Sequence, residues 1–226
     1  MNIYFIAQQT MFFSIPLLVV ALGAMFSEQS GVINIGLEGI MIFGAFIGLI
    51  TMNALFGSVP PQLLLIIGLL AAGIVGIAFS ALHAYASVYQ KANQVISGTA
   101  LNLMAPAIYD FTMRRLTGTR NLSFVNQYRI SQVPVLSEIP VIGPMFFTNA
   151  YITTYIGIAL LFLTAFIYYK TRFGLRLRAC GEHPHAADAA GINVYRMRLY
   201  GVLISGLLAG IGGLILIVPI TVSFEG

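Results

Sequence analysis

Three stretches of the sequence carry side chains able to do more than pack. The first is Gly31-Val32-Ile33-Asn34-Ile35-Gly36-Leu37-Glu38-Gly39, in which Asn34 and Glu38 stand four residues apart. Read as helix, that spacing puts an amide and a carboxylate on one face, turned to the same neighbour. An acid inside an apolar segment marks a functional site by default, and the competing reading is an end-of-span Glu38 that neutralises a basic loop nearby. The second stretch repeats polar or small residues every four positions, Gln94, Gly98 and Asn102, giving two amides with a gap between them. Amides donate and accept, which suits a neutral polar solute such as a sugar, nucleoside or flavin. The same amides equally serve as hydrogen-bonding glue between helices.

The third stretch is Gly181-Glu182-His183-Pro184-His185-Ala186-Ala187-Asp188-Ala189-Ala190-Gly191, which reads as a short helix. Pro184 suits its first turn, the alanines favour it and Gly191 fits the position just past its end. A helix this short is marginal alone in water and needs something to pack on, which is the form of a docking element. Cys180, His183, His185 and Asp188 are all possible metal ligands, but their spacing matches no standard zinc pattern, so no metal site is expected. His83 stands alone in an apolar run with no acid one or two turns away, and is expected to be a satisfied packing residue.

The elements that must hold these residues follow from composition. Of 226 residues, 58% are apolar and 8% charged, where a soluble domain has about 25% charged. The long uncharged runs offer room for roughly six membrane-spanning helices of about 20 residues. The spans are placed at Tyr4 to Phe26, Val32 to Phe56, Gln62 to Tyr89, Asn93 to Phe111, Asn149 to Tyr169 and Leu199 to Val218. The expected fold is all-α, a polytopic transmembrane bundle forming one domain over residues 1–226. The fourth span is polar and meets Pro106, so a broken or re-entrant helix is the alternative to a full crossing.

Two loops stand out: residues 112–148, expected outside, and residues 170–198, expected in the cytoplasm because six bases cluster there near span ends. With six spans Lys91 is also inside, and both chain ends lie outside. The net charge of +4 is thus a topology signal, and a nucleic-acid partner is rejected. Small residues four apart, Gly44/Gly48, Ala72/Gly76/Ser80/Ala84 and Gly206/Gly210, predict close helix packing in lipid.

Taken in order, Glu28 to Gly39, Gln94 to Asn102 and Gly174 to Asn193 resemble three sequence blocks of the permease subunits of bacterial ABC importers, the group that handles branched-chain amino acids, ribose and nucleosides. The Asn34/Glu38 version is most similar to the nucleoside and simple-sugar type, some relatives of which are assigned to riboflavin. The resemblance implies a multi-pass protein of the bacterial plasma (inner) membrane that hydrolyses nothing itself and has no cofactor of its own, ATP-Mg being bound by a partner. It implies a substrate pathway through Asn34, Glu38, Gln94, Gly98 and Asn102. It implies a coupling helix for a cytoplasmic ABC ATPase at Gly181, Glu182, Pro184, Ala187, Asp188 and Gly191. Further partners would be a second permease subunit, paralogous or identical, and an external substrate-binding lipoprotein. His183 departs from the family's usual Asn. Relatives continue for several more spans, and this sequence stops at Gly226 as a truncated product, a fragment or an incomplete gene model would.

The alternative is a secondary transporter or channel for a polar solute, which needs intramembrane ionisable groups. The sequence supplies only Glu38, His83 and Asp110. A membrane-embedded enzyme needs clustered acids, histidines or a nucleophile at one depth, and none is visible.

Overall fold

The computed structural model describes residues 3–119, 122–123, 128–132, 137, 143–220 and 223–224. Six long helices alternate between two ends of a bundle: α1 (Ile3–Gln29), α2 (Leu37–Ala54), α3 (Pro61–Ala84), α4 (Gln94–Thr117), α5 (Ile152–Lys170) and α8 (Val194–Ile220). Two short helices, α6 (Arg172–Glu182) and α7 (Pro184–Ala189), lie between α5 and α8. Among the described residues five elements are long and apolar enough to cross a membrane: α1, α2, α3 with the π-helical turn Tyr85–Tyr89 that prolongs it, α5 and α8. The fold is the expected polytopic helical bundle.

α4 does not meet that apolar criterion, yet it is one unbroken helix of 24 residues, about 36 Å at about 1.5 Å per residue. Pro106 lies inside it without ending it. The Asn93 side chain caps its start, accepting from the N–H of Val95 at 2.9 Å and of Ile96 at 3.3 Å. Gly118, with φ of 71°, closes its end. α4 runs parallel to α2: Gly98 lies on Gly36, Leu101 on Gly39, and Tyr109 edge-on to Phe46 at 4.9 Å. The fourth segment is therefore one continuous helix rather than a broken or re-entrant one, and it runs six residues past the expected boundary at Phe111, into the expected 112–148 loop.

α8 sits at the centre, packed against α1, α2 and α3. Its small residues explain this, since in lipid helices associate by close van der Waals fit. A methyl group on Gly44 would stand 2.6 Å from the Gly210 Cα, and one on Gly206 or Gly210 would strike the backbone carbonyls of Gly76 or Ala72. The ladder Ala72, Gly76, Ser80 on α3 thus interlocks with Gly206 and Gly210 on α8, as the spacing predicted. On the other side Gly23 of α1 meets Ser205, and Pro16 and Val20 flank Gly212. The buried face of α1, through Gln8, Phe12, Pro16, Val19, Gly23 and Phe26, keeps steps of three and four residues.

At one end the chain forms a cap. β2 (Arg129–Gln132) pairs antiparallel with β3 (Thr148–Tyr151), and β1 (Leu122–Ser123) with β4 (Ser223–Phe224). Gln8 of α1 donates to the Thr148 carbonyl at 3.0 Å and Gln62 of α3 to that of Tyr128 at 3.2 Å, tying two helix starts to this cap. Much of the 112–148 loop lies outside the described residues. The 170–198 loop is mostly helical. α6, unforeseen, is capped by Thr171, whose hydroxyl accepts from the Gly174 N–H at 3.2 Å.

Candidate functional site

Between α1 and α2 the chain is not helical. Gly31 turns it with φ of 85°, a conformation that only glycine takes cheaply, and residues 32–36 run as turn and extended chain before α2 begins at Leu37. Asn34 and Glu38 therefore do not share a helical face. Non-helical backbone within a bundle leaves N–H and C=O groups that need partners, and here side chains supply them. The Ser27 hydroxyl donates to the Val32 carbonyl at 2.7 Å. The Ile33 N–H donates to the Gln94 side-chain carbonyl at 2.8 Å. Asn102 serves twice, donating to the Ile35 carbonyl at 3.0 Å and accepting from the Gly39 N–H at 2.8 Å. Asn34 accepts from the Gly36 N–H at 3.1 Å and donates to the Ser205 hydroxyl of α8 at 3.1 Å.

His83 completes the set. Its Nε2 lies 3.1 Å from the Ile33 carbonyl and its Nδ1 3.0 Å from the Ser97 hydroxyl. A carbonyl only accepts, so the network assigns the proton to Nε2 and leaves Nδ1 to accept from Ser97. His83 is fully buried, the satisfied packing residue expected. Gly98 provides the gap: a methyl there would stand 2.9 Å from the Gly36 nitrogen. Gln94, Gly98 and Asn102 thus form one face, as predicted, and that face clasps the backbone of residues 33–39. Ser27 and Ser205 stand out in the sequence only as hydroxyls near or within apolar runs, whereas Ser97 is among the residues that make the fourth segment polar.

Glu38 differs from its neighbours. It is exposed, and among the described residues nothing donates to its carboxylate. It lies in the first turn of α2, where the helix dipole favours an anion. With Met41, Ile42 and Ala45 of α2 and Gly213, Leu216 and Ile217 of α8 it lines an otherwise apolar cavity of about 260 Å³.

At the opposite end from the strands, the bases gather. A methyl on Gly181 of α6 would strike the Gln29 carbonyl at the end of α1, so α6 crosses directly under that helix. Gly174, Leu177 and Cys180 are its buried face, and the Arg178 guanidinium stacks on the Tyr168 ring at 4.9 Å. Burial pushes the Cys180 thiol above its ordinary pKa, with the charge of Arg198 pulling weakly the other way. Gly181 and Glu182 belong to α6, not to the short helix. α7 itself starts at Pro184 and ends in a Schellman motif, with Gly191 at φ of 79°. The N–H of Ile192 reaches the Ala187 carbonyl at 3.0 Å and that of Gly191 the Asp188 carbonyl at 2.9 Å. Only Ala187 of α7 is buried, so His185, Ala186 and Asp188 stand free. Grooves of about 440 Å³, lined by Lys91, His185, Asp188, Tyr195 and Arg198, and about 290 Å³, lined by Ala179, Glu182, Ala186 and Ile192, flank it. Among the described residues no three His, Cys, Asp or Glu side chains gather to hold a metal ion.

A central glycine-rich helix and, among the described residues, five helices long and apolar enough to cross a membrane mark a multi-pass membrane protein. The chain belongs to the family described as the branched-chain amino acid transport system permease component, whose model matches residues 6–224. It is 42% identical to the nucleoside ABC transporter permease protein NupC of Lactococcus lactis subsp. cremoris, over 97% of this chain and 69% of that protein. It is 44% identical to the guanosine ABC transporter permease protein NupQ of Bacillus subtilis, over 92% of this chain and 65% of that protein. The chain thus spans about two thirds of the length of these relatives. No solved structure matches it.

Proposed function

We propose that this chain belongs to the translocation unit of an ATP-driven importer in a bacterial plasma membrane and carries nucleosides inward. The observation that supports this most is the conjunction of 42–44% identity to two nucleoside-type permeases with an exposed, capped helix at the basic end. On this reading α7 seats in a cytoplasmic ABC ATPase that binds ATP-Mg. A second permease subunit faces this one across the path, and an external binding lipoprotein delivers the solute. ATP acts by favouring one conformation of the assembly over the other. Asn34, Gln94, Gly98 and Asn102 are positioning residues that hold the α2 lead-in as part of the pathway wall. Gly181 and Glu182 support α7 from α6, while Pro184, Ala187 and Gly191 give it its shape and Asp188 faces the partner.

The test is ATPase stimulation in reconstituted membranes. Asp188→Arg and Ala186→Glu, both at exposed positions, are expected to abolish it while the protein still inserts. Full stimulation in both variants contradicts the docking role.

A further inference from the structure

The position of Glu38 says which face of the bundle is wet. Met41, one turn along α2 from Glu38, presents its backbone to Gly213 of α8, and the adjoining Gly212 is flanked by Pro16 and Val20 of α1. Pro16 is the midpoint of the 27-residue α1. Glu38 therefore lies about 5 Å, one step of three helical residues, from the middle level of the bundle. The hydrocarbon layer reaches about 15 Å to either side of its centre, so this exposed carboxylate is at lipid depth. Its surroundings in the groove are Met41, Ile42, Leu216 and Ile217, none of which can donate a hydrogen bond to it. An ionised group facing acyl chains at that depth is disfavoured; such groups face the interior of an assembly or a water-filled cavity, and the groove beside Glu38 is where one opens.

We infer that the groove between α2 and α8 is a solute-contact site on the translocation path, in which Glu38 accepts hydrogen bonds from the solute's N–H or O–H donors while Met41, Ile42 and Leu216 take its apolar face. This rests on the importer reading above and adds the location of the path to it. A carboxylate accepts and repels anions, so the chemistry selects a neutral solute rich in donors, a nucleoside, over its phosphorylated forms. The cavity, about 260 Å³, is near the lower end of small-molecule sites, roughly 300 Å³ and upward.

Cysteine accessibility in the assembled transporter tests this, read against the unsubstituted assembly as background, because Cys180, the one thiol in this sequence, is buried. Glu38→Cys and, as a second variant on the same wall, Ile42→Cys are treated with a charged, membrane-impermeant thiosulfonate, with Phe162→Cys on the exposed apolar face of α5 as reference. The expected result is labelling at least tenfold faster at position 38 or 42 than at 162, slowed severalfold by saturating guanosine or uridine and not by guanosine monophosphate. Labelling no faster than at 162, or labelling that neither nucleoside slows, overturns the inference. ATP-dependent uptake by the unsubstituted assembly is measured in parallel: its presence beside a failed labelling result removes the inference alone, and its absence removes the importer reading as well.

Discussion

The side chain of Asn102 on α4 holds the first turn of α2 by accepting the backbone N–H of Gly39 at 2.8 Å, and its amide nitrogen closes the same loop on the Ile35 carbonyl. One amide thus satisfies two backbone groups that the non-helical lead-in leaves open, each of which costs about 1–3 kcal/mol if buried without a partner. Asn102→Leu is expected to destabilise the folded protein by about 1–3 kcal/mol, chiefly through the part-buried Gly39 N–H, since the bond to Ile35 is exposed. The check is thermal unfolding in detergent together with recovery of ATPase binding. Both are expected to fall, because the residue positions backbone; a loss of uptake alone would make Asn102 a solute contact.

Gly210 lies where a methyl group would strike the Ala72 carbonyl, and Gly76 faces Gly206 in the same way. Backbone cannot step aside as a flexible side chain can, so Gly210→Ala is expected to destabilise by about 1–3 kcal/mol through overpacking. A melting temperature unchanged from the parent would show that α3 and α8 are not locked as described.

His83 holds a proton on Nε2 against the Ile33 carbonyl at 3.1 Å, and its Nδ1 lies 3.0 Å from the Ser97 hydroxyl, placed to accept from it. Nitrogen NMR of histidine-labelled protein is expected to show an unprotonated Nδ1 at this residue. The opposite tautomer would mean that His83 does not donate to Ile33.

Cys180, in α6 outside the spans, has its thiol raised by burial. A raised pKa keeps it protonated and unreactive at neutral pH, with the thiolate appearing only as pH climbs beyond the ordinary thiol range. Alkylation is expected to be slow in the folded protein and fast after denaturation. Rapid labelling of native protein at pH 7 would contradict the packing of α6 under α1.

Some of this was legible in the sequence because single rules act locally. Pro184 and Gly191 bracket α7 through fixed backbone angles, and small residues four apart report helix contact wherever they occur. The face Gln94, Gly98, Asn102 was likewise readable as a face. What it touches was not, because its partners lie about sixty positions away in sequence and are backbone groups, which leave no mark on residue type. Asn34 and Glu38 suited a helical face by spacing, while the glycines at 31, 36 and 39 were the cue to an irregular start; in the structure Gly31 takes a positive φ and the helix starts at Leu37. α6 was missed because its charged arginines looked like loop, while its buried face is only Gly174, Leu177 and Cys180.

The central claim is that this chain moves a nucleoside at the expense of ATP in a partner subunit. Proteoliposomes containing the full transporter, its ATPase and its binding lipoprotein, loaded with ATP-Mg on the ATPase side, test it directly with labelled guanosine and uridine. The account predicts uptake that requires ATP and the ATPase, persists when ion gradients are collapsed, and is lost when Asp188→Arg is introduced. Uptake that continues without the ATPase and follows an imposed ion gradient would contradict it.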